Sequence, residues 1–93
     1  MPGKERVTER RRQARRIERQ VGEAYGARSV KLHGLWACRR AANLTQRQLA
    51  SLVGMSPATV RGLETLKRGA YPKTIGKLAG ALGVAPADLI SRR

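Results

Sequence analysis

Ninety-three residues suffice for one small domain, and a single Cys and a single His exclude an internal disulfide, leave a zinc site short of ligands and remove His-based catalysis. Twenty Lys and Arg against six acids, net +14, make a compact monomer repel itself and point to a polyanionic partner, nucleic acid before an anionic membrane surface. Aromatics are 3% of the chain and Phe is absent, so the core must come from Leu, Val, Ile and Ala, a composition that favours packed helices.

Composition shifts near Gly26–Ser29 and divides residues 1–28 from residues 29–93. The first part carries nine bases and four acids, the second eleven bases and two acids with dense apolar residues. In the first part, Thr8–Tyr25 (TERRRQARRIERQVGEAY) predicts a helix, with Thr8 as N-cap and Glu9 near the positive end of the dipole. Val7, Ala14, Ile17, Val21 and Ala24 form a thin seam close to heptad spacing. Arg10, Arg11, Arg12, Arg15, Arg16 and Arg19 surround it. Like charges four apart, such as Arg11 and Arg15, weaken an isolated helix by roughly a few tenths of a kcal/mol per pair. The helix is therefore conditional on contact with its own domain, a second subunit or nucleic acid, and Gly22 and Gly26 favour fraying at its end.

The second part reads as five helices. The first spans Val30–Ala42, with Leu32, Leu35, Cys38 and Ala42 on one face. Trp36 lies at the edge of that face and is expected to be covered by the N-terminal helix or a second subunit. Cys38, alone at an apolar helix position, reads as a small buried hydrophobe. The second helix runs Gln46–Val53 behind Thr45, and Gly54 stops it. The third runs Pro57–Leu66, with Ser56 as N-cap and Pro57 at N1, where a missing N–H costs nothing. A basic loop, Lys67–Tyr71, precedes a fourth helix at Lys73–Leu82, which Gly83 ends. The fifth is short, Pro86–Ser91, behind Ala85, a poor cap.

The stretch LTQRQLASLVGMSPATVRGLETL at Leu44–Leu66 has the make-up of a helix-turn-helix. Leu49, Val53, Val60 and Leu63 supply contacts between two short helices, Ala50 is small where they cross, and Gly54 takes the turn with Met55 beneath it. Such a turn sets the second helix at a steep angle, able to enter a major groove. The blocks LTQxxLA at Leu44–Ala50, VGMSPATV at Val53–Val60, Glu64, and LAGALGV at Leu78–Val84 resemble, in order and spacing, the Cro/C1-type or XRE family of phage repressors. The resemblance covers Val30–Ile90. It implies an all-α fold: a compact five-helix lambda-repressor-like domain containing a helix-turn-helix, here preceded by a basic N-terminal helix or flexible arm.

The resemblance also implies roles for residues. Gln46 matches a position that bonds a DNA phosphate, and helix N-termini favour anions in any case. Ser56, Pro57, Ala58, Thr59, Arg61 and Gly62 match positions that face the groove. Arg39 and Glu64 match an ion pair tying the first helix to the third. The chain departs from the pattern where Pro57, Ala58 and Gly62 stand: none has a side-chain donor. Base reading then rests on Ser56, Thr59 and Arg61, and on apolar contact with thymine methyls. Arg61 reads either a guanine or a phosphate. Arg47, Lys67, Arg68, Lys73 and Lys77 are phosphate contacts or a solvated face, with Lys67 and Arg68 placed where this geometry meets the backbone.

These readings give a regulator, a repressor of phage or mobile-element kind, that binds operator duplex DNA and requires no cofactor or metal. A homodimer on two half-sites is one arrangement. A second reading makes the chain an antitoxin or adaptor whose N-terminal segment binds a protein. A third makes TERRRQARRIERQ an RNA-binding arm. An enzyme is not expected, since paired acids and a nucleophile–base set are lacking. No apolar run reaches transmembrane length and no signal-peptide core is evident, so a cytoplasmic, nucleoid-associated protein is expected.

Overall fold

The computed structural model describes the backbone of residues 2–91 and the side chains of residues 12–91. Six helices follow in order: α1 (Pro2–Tyr25), α2 (Leu35–Ala41), α3 (Gln46–Val53), α4 (Pro57–Glu64), α5 (Pro72–Leu82) and α6 (Pro86–Ile90). The only strand-like pairing among the described residues is an isolated antiparallel bridge between Val30 and Ala70. The fold is all-α. Leu32, Leu35, Leu49, Val60, Leu63, Ile75, Leu78 and Leu89 fill its centre, each at most 2% exposed. Aliphatic side chains alone thus close the core, as the absence of Phe demands.

Local signals set most helix ends. Thr45 opens α3 with a reciprocal capping box: its Oγ1 accepts from the Gln48 amide at 3.0 Å, and Gln48 Oε1 accepts from the Thr45 amide at 2.8 Å. Gly54 ends α3 in the left-handed region, φ 70°, where glycine meets no steric penalty. Ser56 caps α4 and Pro57 occupies its first turn. α5 begins at Pro72, one residue before Lys73, because a proline at the first helical position needs no N–H partner. At α6 the poor cap Ala85 is compensated from the third helical position, where Asp88 Oδ2 accepts from the Ala85 amide at 3.1 Å. α6 ends at Ile90, one residue short of the expected limit.

The first expected helix is shorter than its apolar spacing suggests. Val30–Gly34 is not helical, and α2 starts at Leu35. The Val30 amide and carbonyl bond the Ala70 carbonyl and amide, both at 2.8 Å, while the Gly34 amide donates to the Leu89 carbonyl at 2.8 Å. Those groups are no longer available to a helix. Likewise α4 stops at Glu64 rather than Leu66, since Leu66 takes φ 63°. Toward the other end of the chain, α1 starts at Pro2, so Thr8 lies inside the helix and not at its cap.

α1 lies along α5. Val21 enters the common core at 1% exposure and Ile17 packs against it, whereas Ala24 is exposed. Val7, the first member of the expected seam, has its side chain outside the described residues. The close approach is set by Gly76 and Gly80, four apart on α5. A Cβ on Gly76 would lie 2.6 Å from the Ala14 carbonyl oxygen, and one on Gly80 would touch the Ala14 methyl at 3.9 Å. Ala14, one of the small residues that make the α1 seam thin, therefore matches a shallow groove on α5. Because α1 docks on α5, it does not cover Trp36, which is 55% exposed and carries the Arg40 guanidinium 5.4 Å from its ring centroid.

Candidate nucleic-acid interface

α3 and α4 form a fixed corner. Leu49, Ala50, Val60 and Leu63 are buried between them and the rest of the core. Gly54 turns the chain, the Met55 amide bonds the Ala50 carbonyl at 2.9 Å, and Met55 packs half-buried against the core. The outer side of α4 is thereby presented to solvent at a fixed angle.

An ion pair braces this corner from within. Arg39 on α2 grips Glu64 at the end of α4 through its Nε on Oε2 and its Nη2 on Oε1, the latter at 3.0 Å. Its Nη1 donates to the Leu44 carbonyl at 2.7 Å. The side chains are 9% and 3% exposed. The hydrogen bond with Glu64 raises the Arg39 pKa above its ordinary value, against the opposing effect of burial. A raised guanidinium pKa leaves the pair intact throughout the neutral range; its stabilisation would be lost only as pH climbs through that value. Gln46 joins the same cluster, its Nε2 donating to Glu64 Oε1 at 3.0 Å. The residue expected on a phosphate therefore also ties the start of α3 to the end of α4.

The six positions expected to face the groove fall on or beside the outer face of α4. Ser56, Pro57, Ala58 and Arg61 are exposed, and Thr59 and Gly62 are half-buried. The two hydroxyls of this set engage each other: Ser56 Oγ lies 2.8 Å from Thr59 Oγ1, and Ser56 Oγ also accepts from the Thr59 amide at 3.1 Å. Each keeps only part of its bonding capacity for a ligand. Arg61 is then the one long donor on the exposed arc of the helix itself. Gly62 is covered by the side chain of Arg68, which follows in the loop.

Arg47, Lys67 and Arg68 are exposed at the margins of α3 and α4, and Lys73 and Lys77 on α5. Arg12, Arg15, Arg16 and Arg19 are exposed on α1, which packs mainly along α5. The side chains of Arg10 and Arg11 lie outside the described residues. Lys31, which sequence reasoning missed, donates from Nζ to the Leu66 carbonyl at 3.1 Å and steadies the loop after α4; a lysine in an apparent helix gives no hint of that contact.

A family model described as Helix-turn-helix matches residues 37–89, from within α2 to α6 and more than half of the chain. No curated protein and no solved structure gives a significant match.

Proposed function

Because the chain belongs to the helix-turn-helix family of Cro/C1, or XRE, type, a family of DNA-binding transcription regulators, we propose that it is a repressor of phage or mobile-element kind that seats α4 in the major groove of operator DNA. The observation that carries this reading is the outer face of α4. It projects Arg61 from a helix whose angle is fixed by a buried corner and by the Arg39–Glu64 pair. A recognition helix must present few side chains at a set height above the bases, and rigidity of its support is what makes that readable.

In this reading Arg61 takes a base edge, Ser56 and Thr59 act as a pre-bonded pair at the entry of the helix, and Arg47 and Lys67 meet phosphates. The exposed Arg12, Arg15, Arg16 and Arg19 of α1 form a second basic face for nucleic-acid phosphates. A homodimer would place two copies of α4 on half-sites about 34 Å apart, one turn of duplex.

Duplex binding measured over a range of salt concentrations tests both surfaces. Arg61→Ala should relax preference at one base pair by roughly 1–3 kcal/mol; a uniform weakening on every sequence would reassign it to a phosphate. Since α1 contributes Val21 to the core, its arginines are better tested by substitution than by truncation. Changing Arg12, Arg15, Arg16 and Arg19 together to Gln should lower the log–log salt slope by about 0.9 for each phosphate no longer neutralised. An unchanged slope would remove α1 from the DNA-binding surface.

A further inference from the structure

We infer that Arg68, which follows α4 in the chain, supplies the base-reading donor that Gly62 leaves out of the recognition helix; the inference rests on α4 entering the major groove. α4 reads Pro57-Ala58-Thr59-Val60-Arg61-Gly62-Leu63-Glu64. Helical spacing puts Pro57, Ala58 and Arg61 on the outer arc with Gly62 at its flank. Three of those four positions lack a side-chain donor, so the helix by itself offers one long reading group.

The loop returns a second one. Leu66 at φ 63° reverses the chain, and the amides of Lys67 and Arg68 both turn toward the Gly62 carbonyl, at 3.0 and 3.4 Å. The Arg68 side chain then runs back beside the helix. A Cβ on Gly62 would lie 3.2 Å from Arg68 Nε, 3.4 Å from its Cδ and 3.5 Å from its Cγ. Three consecutive groups of the arginine thus lie against the space of the missing methyl. The stem rests on the glycine, and the guanidinium is carried onto the flank of the reading face. No acid among the described residues holds it, so its donors remain available at that surface. The planar fork of a guanidinium matches O6 and N7 of guanine, which a lysine ammonium cannot grip in two-point fashion. Gly62 then has a role in this helix: without a Cβ the arginine lies close along it, and a larger side chain there would push it away.

The test begins with selection of preferred duplexes from a random pool by the full-length protein. Affinities for the selected site and its single-base variants are then measured for wild type, Arg68→Ala, Arg68→Lys and Gly62→Leu. Arg68→Ala should cut discrimination at one guanine by roughly five- to a hundredfold while the other positions keep theirs. Arg68→Lys should not restore it. Gly62→Leu keeps every charge but fills the space under the arginine, and should reproduce the effect at the same base pair. If Arg68→Ala instead weakens all duplexes alike and lowers the salt slope by about 0.9, Arg68 binds a phosphate and the inference is overturned. Unaltered base preference in Gly62→Leu overturns it equally. A wild-type protein that enriches no duplex would overturn the proposed function itself, a result visible before any variant is compared.

Discussion

Glu64→Ala should destabilise the domain by about 3–5 kcal/mol, because it strands a buried arginine without its counter-charge. Arg39 is held by Glu64 and by the Leu44 carbonyl, and both ionic side chains are at least nine-tenths shielded from water. With the carboxylate gone, Arg39 retains the carbonyl bond but not the partner that offset its desolvation. Gln46 is deprived of its acceptor in the same step. For a domain of this size each kcal/mol corresponds to roughly 4–8 °C in Tm, so thermal unfolding should show a fall of more than about 10 °C. The double variant Arg39→Met with Glu64→Leu should recover most of that stability, since an apolar pair of similar volume removes both charges at once. A shift of only about 2 °C in Glu64→Ala would mean that the pair is solvated and does not brace the corner.

Gly34→Ala should be nearly as damaging, at about 3 kcal/mol, although it adds one methyl. A Cβ at this position would overlap the Asp88 carbonyl oxygen and come within 3.2 Å of the Ser91 carbonyl oxygen. Backbone cannot yield as a side-chain tip can, so either α6 shifts or the Gly34–Leu89 hydrogen bond breaks, and overpacking of this kind costs about 1–3 kcal/mol or more. Leu89, fully buried on α6, would move with it. Gly22→Ala is the matching control: it lies within α1 with nothing within 4 Å of the added methyl. Helix propensity predicts a gain of about 0.5–1 kcal/mol there. Denaturant unfolding of the two variants should move in opposite directions, and parallel shifts would show that α2 and α6 are not in close contact.

The parts of the fold legible in the sequence are those with local causes. α3 runs over the residues assigned to it because Thr45, Gln48 and Gly54 act within a few residues of their own helix, and Ser56-Pro57 fixes the start of α4 in the same way. Val30–Gly34 is illegible for the opposite reason. Leu32, Leu35 and Cys38 satisfy a helical spacing, but Val30 pairs with Ala70 forty positions on, and no local signal announces a tertiary partner. The pairing of Arg39 with Glu64 follows from resemblance alone, and the structure adds Gln46 to the cluster. By propensity Gly62 is a weak point of α4, and no local signal tells that the Arg68 side chain lies beside it. Trp36 has the size of a residue that should be covered, but the groove that receives α1 is made by Gly76 and Gly80 on α5, and glycine spacing there carries no mark of which helix will dock.

The bridge between Val30 and Ala70 bears on how a signal could cross the molecule. Val30 belongs to the segment leaving α1, and Ala70 to the loop leaving α4. Two backbone bonds and the Lys31–Leu66 contact make one joint of them. A displacement of α1 that moved Val30 would therefore load the Lys67–Gly69 loop through these bonds. A partner that pulled α1 from its groove on α5 would disturb the loop after α4 without contacting α4 itself.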